Sequence, residues 1–223
     1  MPSVTHAPPI VFVVDDDVSV RDSLELLIQC EGWHAETFAS ASEFLAYPRR
    51  SVPACLVLDV SMPGLDGLEL QQALTTGGSH RPVVFITGKG DVPTSVRAMK
   101  AGAIDFLTKP AKDIDLLEAI RRAEGREAEA RQRLSELEAI QAKLSTLTPR
   151  EREVLTHVVA GRLNKQIAGD LGTVEKTIKV HRSRMMEKMG LRTVADLVRM
   201  AEKAQIGPYW TNGQLDGRPI PPP

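Results

Sequence analysis

Along the first half of the chain, short apolar runs alternate with stretches in which apolar side chains recur every three or four positions. The runs fall at 10–14 (IVFVV), 34–38 (HAETF), 54–58 (ACLVL), 82–86 (PVVFI) and 104–107 (IDFL). Runs this apolar predict strands covered on both faces. Between them, 18–31, 40–47, 65–75 and 91–101 carry the helical period, and a fifth such pattern starts near Asp113. Five alternating units predict an α/β fold, a five-stranded doubly wound parallel sheet with helices on both faces. In such sheets functional groups collect beyond the carboxyl ends of the strands.

The helical pattern from Asp113 does not stop where a small domain would. It continues through RRAEGREAEARQRLSELEAIQAKL without a proline. Apolar residues at Leu116, Ala123, Ala130, Leu137 and Leu144 form one row at heptad spacing. The companion row, Ala119, Arg126, Arg133, Ile140 and Leu147, is interrupted by two arginines. The segment 123–147 therefore fits either a partial coiled coil or a solvated spacer helix. Structure restarts at TLTPRERE, where Thr148 as N-cap, Pro149 at the first helical position and Glu151 three residues on make a capping box. Short helices follow to about 206, with Asn164 and Thr173 as N-cap candidates and Gly161, Gly172 and Gly190 as stops. No strand pattern is seen after 148, and the Pro- and Gly-rich tail 207–223 predicts irregular chain. The expected units are 8–122, a helical linker 123–147, an all-α unit 148–206 and the tail.

Charge separates the halves. Residues 1–124 hold 11 basic and 17 acidic side chains, whereas residues 148–206 hold 12 basic and 7 acidic ones. An acidic front unit suits a cation, and a basic back unit suits a polyanion such as nucleic acid. Two cysteines, Cys30 and Cys55, are too few for a disulfide framework or a zinc ribbon. No apolar run approaches membrane-spanning length and no signal-peptide pattern opens the chain, so a cytoplasmic protein is expected.

Candidate chemistry lies at the strand ends. Strand one runs into Asp15, Asp16 and Asp17; strand three ends in Asp59; strand four ends in Thr87; strand five is followed by Lys109. If the strands are parallel these positions converge on one edge. Clustered carboxylates without His or Cys suit a hard cation such as Mg²⁺. Asp59 can attack phosphorus and hold it as an acyl phosphate, while Lys109 and the cation neutralise the phosphoryl oxygens and the Thr87 hydroxyl donates to one of them. Asp17 has a simpler role open to it, as a helix cap.

In order and spacing, the DD pair, LDVSMPGLDG, ITGKGDV and AGAIDFLTKP resemble the receiver domain of two-component response regulators over about residues 8–122, and TGKGDVPTSVRAMKAGAIDFLTKP resembles the FixJ subgroup. The resemblance implies that Asp59 is the phosphoacceptor, that Asp15 and Asp16 form the acidic pocket with Asp16 a direct Mg²⁺ ligand, and that Ser61 adds its backbone carbonyl. It also implies a switch carried by Thr87 and Phe106, although Phe106 is also readable as plain core. Lys109–Pro110 resembles the family's cis peptide, and Ser61 and Lys89 occupy the positions that tune phosphoryl lifetime. Phosphorylation is then expected to drive homodimerisation through residues 91–122, with the linker helix as a possible second contact.

In the back unit, Asn164–Leu171, a turn at Gly172–Thr173 and Val174–Met189 have helix-turn-helix spacing. Val174, Ile178, Met185 and Met189 form an apolar stripe for the core, while Lys176, Lys179, Val180, Ser183 and Arg184 lie on the opposite face. That face suits a major groove, with cations for phosphates and short side chains for base edges. The segment LTPREREVLTHVVAGRLNKQIAGDLGTVEKTIKVHRSRMMEKMG resembles the LuxR-type DNA-binding domain over about 145–206. By that resemblance Lys179 and Val180 reach the bases, Asn164, Lys165, Lys176, Thr177 and Arg182 hold the backbone, and Ser183 stands where some members have lysine.

The expected protein is a transcription regulator rather than an enzyme. Its implied partners are a sensor histidine kinase, double-stranded DNA, a second copy of itself and the transcription machinery. A regulator whose receiver acts without phosphorylation is the alternative. A phosphatase of the haloacid dehalogenase type would want an aspartate where Ser61 stands.

Overall fold

The computed structural model describes residues 9–48, 53–79, 81–88 and 90–207, together with the backbone of 210–211 and 214–215. The chain divides into two compact units, residues 1–131 and 132–223.

The first unit is a sheet of five parallel strands in the order β2-β1-β3-β4-β5. The strands are β1 (Ile10–Val14), β2 (His34–Phe38), β3 (Ala54–Asp59), β4 (Val83–Thr87) and β5 (Asp105–Thr108). β4 and β5 each begin and end one residue later than the apolar pattern suggests. Pro82 has no N–H to give, and only its carbonyl joins the sheet, accepting from Leu56 at 2.9 Å. The helices are α1 (Val18–Cys30), α2 (Ala41–Ala46), α3 (Gly67–Thr76), α4 (Val92–Lys100) and the start of α5 (Asp113–Ser145). Four of them begin at a side-chain cap from Asp17, Ser40, Asp66 or Asp91, which satisfies amides left open at a helix start.

Alternation along the strands divides the apolar residues between two cores. Phe12, Leu56, Leu58 and Phe85 join Phe44 of α2 and Leu70 of α3 on one face. Val11, Val13, Val57 and Val84 join Ile28 of α1 and Leu116 and Ile120 of α5 on the other. Strand order reverses between β1 and β3, so their carboxyl ends form the crevice where this architecture places its sites.

The second unit is built on α6 (Pro149–Val159), α7 (Asn164–Asp170), α8 (Glu175–Met189) and α9 (Val194–Lys203). Its core gathers Leu155, Ile167, Ile178, Met185, Met189 and Leu197 with Leu144 and Leu147 from the segment before α6. The α6 capping box is present: the Thr148 hydroxyl accepts from the Glu151 amide and Glu151 accepts from the Thr148 amide. Glu151 is itself buried and takes the Lys188 ammonium at 2.7 Å, tying the start of α6 to the last turn of α8.

Several expectations need correction. Leu163 and Val174, not Asn164 and Thr173, are the residues preceding α7 and α8, and neither offers a side-chain cap. Val174 is 66% exposed and outside the apolar stripe, which consists of Ile178, Met185 and Met189. Strand structure does occur after 148: Trp210–Thr211 pairs antiparallel with Gln214–Leu215 inside the tail expected to be irregular. The sequence between those strands, Asn212–Gly213, is a strong two-residue hairpin signal that the Pro and Gly content obscures. The two heptad rows have a local explanation at each end. Leu116, Ala119 and Ala123 are buried in the first unit, and Leu144 and Leu147 in the second, while Leu137 is exposed. No helix among the described residues is long and apolar enough to cross a membrane.

Candidate functional site

Parallel register brings the polar strand ends together. Val14 pairs with Leu58, Asp59 with Ile86 and Thr87 with Thr108, so the residues at and just beyond these pairs share one edge. Asp15, Asp59 and Thr87 are buried there. The Lys109 ammonium reaches across from β5, donating to Asp15 Oδ2 at 2.5 Å and to Asp59 Oδ2 at 2.7 Å. Its backbone is fixed by a bond from its N–H to the Thr87 carbonyl at 2.7 Å, next to a cis peptide before Pro110. Burial would pull the Lys109 pKa down, but the bonds to Asp15 and Asp59 outweigh it and hold the pKa above the usual lysine value. Burial dominates at Asp15, raising its pKa against the opposing pull of Lys109.

The remaining carboxylate oxygens are held by backbone. Asp15 Oδ1 accepts from the Asp17 amide at 3.0 Å, and Asp59 Oδ1 accepts from the Ser61 amide at 3.1 Å. Asp17 caps α1 by accepting from the Ser19 amide at 2.8 Å. Asp16 is exposed, and an oxygen of each of Asp15, Asp16 and Asp59 lies within 4.8 Å of the others. Three carboxylates with no nitrogen or sulfur donor fit a hard divalent cation. Lys89 lies outside the described residues.

Three supporting residues received no role from the sequence, although Gly67 and Gly90 lie inside the motifs LDVSMPGLDG and ITGKGDV. Arg21, one turn into α1, donates to the Asp15 carbonyl at 2.7 Å and fixes that corner. Gly67 opens α3 directly against the acceptor's backbone: a Cβ there would stand 2.2 Å from the Asp59 carbonyl oxygen. Gly90 leaves room between switch candidates, since a Cβ there would meet the Thr87 methyl at 3.4 Å and the Phe106 ring at 3.3 Å. Phe106 is half-buried, its ring 6.2 Å from that of Phe85.

In the second unit, Lys176, Lys179, Val180, Ser183 and Arg184 are exposed along α8, and Lys165 is exposed on α7. Asn164 and Arg182 are bonded to each other, Arg182 Nη1 donating to Asn164 Oδ1 at 2.9 Å. That bond joins the first turn of α7 to the middle of α8 and explains why Asn164 does not cap its own helix. Thr177 is half-buried, and Lys179 pairs with Glu175 at 3.0 Å. His157 on α6 has a buried Nδ1 with no hydrogen bond, 3.6 Å from Asp170; burial holds its pKa below the usual value.

Two family models match this chain. That of the response regulator receiver domain covers residues 11–121, and that of the bacterial regulatory proteins of the luxR family covers 145–201. Nodulation protein W of Bradyrhizobium diazoefficiens is 46% identical over 197 residues, which is 88% of this chain and 87% of that one. The transcriptional regulatory protein FixJ of Rhizobium meliloti is 42% identical over 198 residues, 89% of this chain and 97% of that one. The solved structure of the response regulator StyR superposes with a TM-score of 0.78 at 49% identity, covering 88% of this chain and all of that one.

Proposed function

The chain belongs to the response regulators that join a receiver domain to a LuxR-type DNA-binding domain, and from that premise we propose that Asp59 is its phosphoacceptor and that phosphorylation controls its grip on DNA. The observation that carries this is the single ammonium of Lys109 shared by Asp15 and Asp59 at the strand edge.

In the proposed reaction an Asp59 carboxylate oxygen attacks the phosphorus of a phosphohistidine on a sensor kinase. The new P–O bond forms as the P–N bond breaks, and the electron pair leaves on the imidazole. Lys109 faces the Asp59 oxygen it already touches and would stabilise charge on the transferring group. Thr87, at the end of the neighbouring strand, supplies a hydroxyl for a phosphoryl oxygen. Asp15, Asp16 and Asp59, with the Ser61 carbonyl, would hold Mg²⁺, which supplies further neutralisation of the phosphoryl oxygens when bound. The carboxylate cluster supports that assignment.

Thr87 and Phe106 would carry the change outward, through the room beside Gly90. The face at 91–122 is the proposed dimer contact. The exposure of its apolar residues Val92, Val96, Met99 and Ile114 supports that reading. The linker, with exposed Leu134 and Leu137, is the second contact proposed for that dimer. Two copies would bind two half-sites, adding both contact energies on one DNA. On each, Lys179, Val180 and Ser183 would face the bases, and Lys165, Lys176 and Thr177 the phosphates. The mutual bond of Asn164 and Arg182 supports a shared role in presenting a donor to the backbone. Bound in this way near a promoter, the dimer would address the transcription machinery.

Intact mass after incubation with acetyl phosphate, with and without Mg²⁺, tests the acceptor. One phosphoryl adduct that needs Mg²⁺ and is absent from Asp59→Asn is the expected result. No adduct on the wild type under any condition would leave a regulator that works without phosphorylation.

A further inference from the structure

Of the nine residues of α4, Ala98 alone is buried. Val92, Val96 and Met99 are 75%, 44% and 47% exposed. Each of the three helices before it buries at least two residues, and α3 buries Gly67, Leu70, Gln71 and Leu74. An element with so little buried surface is held at few points and moves at low cost.

One of those points is unusual. Gln71 of α3 is 5% exposed, and its Nε2 donates to the carbonyl of Ala101, the residue that closes α4, at 3.3 Å. Its Oε1 is buried and has no hydrogen-bond partner among the described residues. A buried amide that makes one long bond and leaves its acceptor unmet is a poor choice for stability, since an apolar side chain of the same size would be buried at no such penalty. The bond does, however, locate the end of α4 relative to α3.

The other end of that connection is the acceptor. Gly67 and Gln71 are four residues apart on α3 and share its buried face. Gly67 abuts the Asp59 carbonyl and donates its N–H to the Val60 carbonyl at 3.1 Å. A contiguous line therefore runs from the backbone of Asp59 through one turn of α3 to the carbonyl of Ala101, which closes α4. It is separate from the route through Thr87.

We propose that Gln71 is a positioning residue, a weak latch between α3 and the end of α4 that sets how readily α4 changes place when Asp59 is phosphorylated. This rests on the assignment of Asp59 as acceptor. A latch favours the resting arrangement, and whatever releases it shifts the population towards the other one.

The test is Gln71→Met in the full-length chain beside wild type, with Gln71→Leu as a second variant should the first not fold. Two quantities are read: the dissociation constant of the unphosphorylated dimer by sedimentation, and the rate of adduct formation on Asp59 with acetyl phosphate and Mg²⁺. The expected result is a dimer tighter by roughly 2- to 30-fold and a rate raised by a comparable factor, the range spanned by coupling residues that touch neither site. Melting temperature should hold or rise. A folded variant whose melting temperature changes while both other values match wild type would overturn the latch and make Gln71 merely structural. If wild type itself takes no phosphoryl, the acceptor assignment fails and the latch fails with it.

Discussion

At the receiver edge, Asp15 and Asp59 are buried, share one ammonium, and come from strands some forty residues apart in sequence. Along α8, by contrast, Lys176, Lys179, Val180, Ser183 and Arg184 stand in solvent on fifteen consecutive residues of one helix. The first arrangement concentrates charge where water cannot screen it, so each partner depends on the others. The second spreads its contacts over an exposed face, where each is nearly independent and screened by salt. The difference teaches where single substitutions should be decisive and where they should only subtract.

The strongest test of that contrast is Lys109→Met. Removing the cation that Asp15 and Asp59 share should slow Asp59 phosphorylation by about 10²- to 10³-fold, the scale for losing one preorganised charge partner. Adduct formation with acetyl phosphate measures it, and a loss below tenfold would break the picture of an interdependent site. Next comes Gly67→Ala. Its Cβ would overlap the Asp59 carbonyl oxygen at 2.2 Å, and backbone cannot yield as a flexible side chain can. We expect a destabilisation of about 3 kcal/mol in urea unfolding of the receiver, with slowed phosphorylation in whatever remains folded.

Glu151→Ala is of intermediate size, because it removes both half of a capping box and the partner of Lys188. A loss of about 1–3 kcal/mol in the DNA-binding unit is expected by thermal or urea unfolding. Its pH dependence has a defined sign. Burial raises the Glu151 pKa, but the bonds from Lys188 and Thr148 outweigh it and hold the pKa below the usual glutamate value. The folded state therefore binds the proton less well than the unfolded chain. The stabilisation is present above the ordinary glutamate range and lost as pH falls through the lowered value. Wild type should lose more stability there than Glu151→Ala, because Asp196, whose pKa is also held low, titrates in both proteins. The smallest effect belongs to Lys165→Ala, which should weaken binding to all DNA sequences alike and reduce the salt slope by about 1. A change in sequence preference instead would mean that Lys165 reads bases.

The same contrast decides what was legible in the sequence. Apolar runs such as IVFVV located the five sheet strands to within a residue; β1, β3 and β4 are buried at every position, whereas the edge strands β2 and β5 are only partly buried and carry a weaker signal. Aspartates, threonine and lysine at the ends of those runs marked the site, although Asp17 follows β1 as the cap of α1. What escaped depends on the third dimension. Asn164 and Thr173 are good caps by type, but the Asn164 oxygen is taken by Arg182, 18 positions away, and the chain enters α8 at Val174. Gln71 reads as an ordinary helical residue until Ala101, 30 positions on, is seen beside it. Gly67 reads as a helix residue of poor propensity, and only the nearness of the Asp59 carbonyl explains it.

That last contact has a consequence for the gene. Every amino acid one base change away from a glycine codon carries a Cβ, and at position 67 each would press the same oxygen. The position has no tolerable neighbour in codon space, and because the oxygen belongs to the backbone it should stay fixed in any lineage that keeps this receiver fold, whatever side chain stands at 59. Reading codons 59 and 67 together across strains would then separate the two pressures, since a lineage that lost the acceptor but kept the fold would change the first and retain the second.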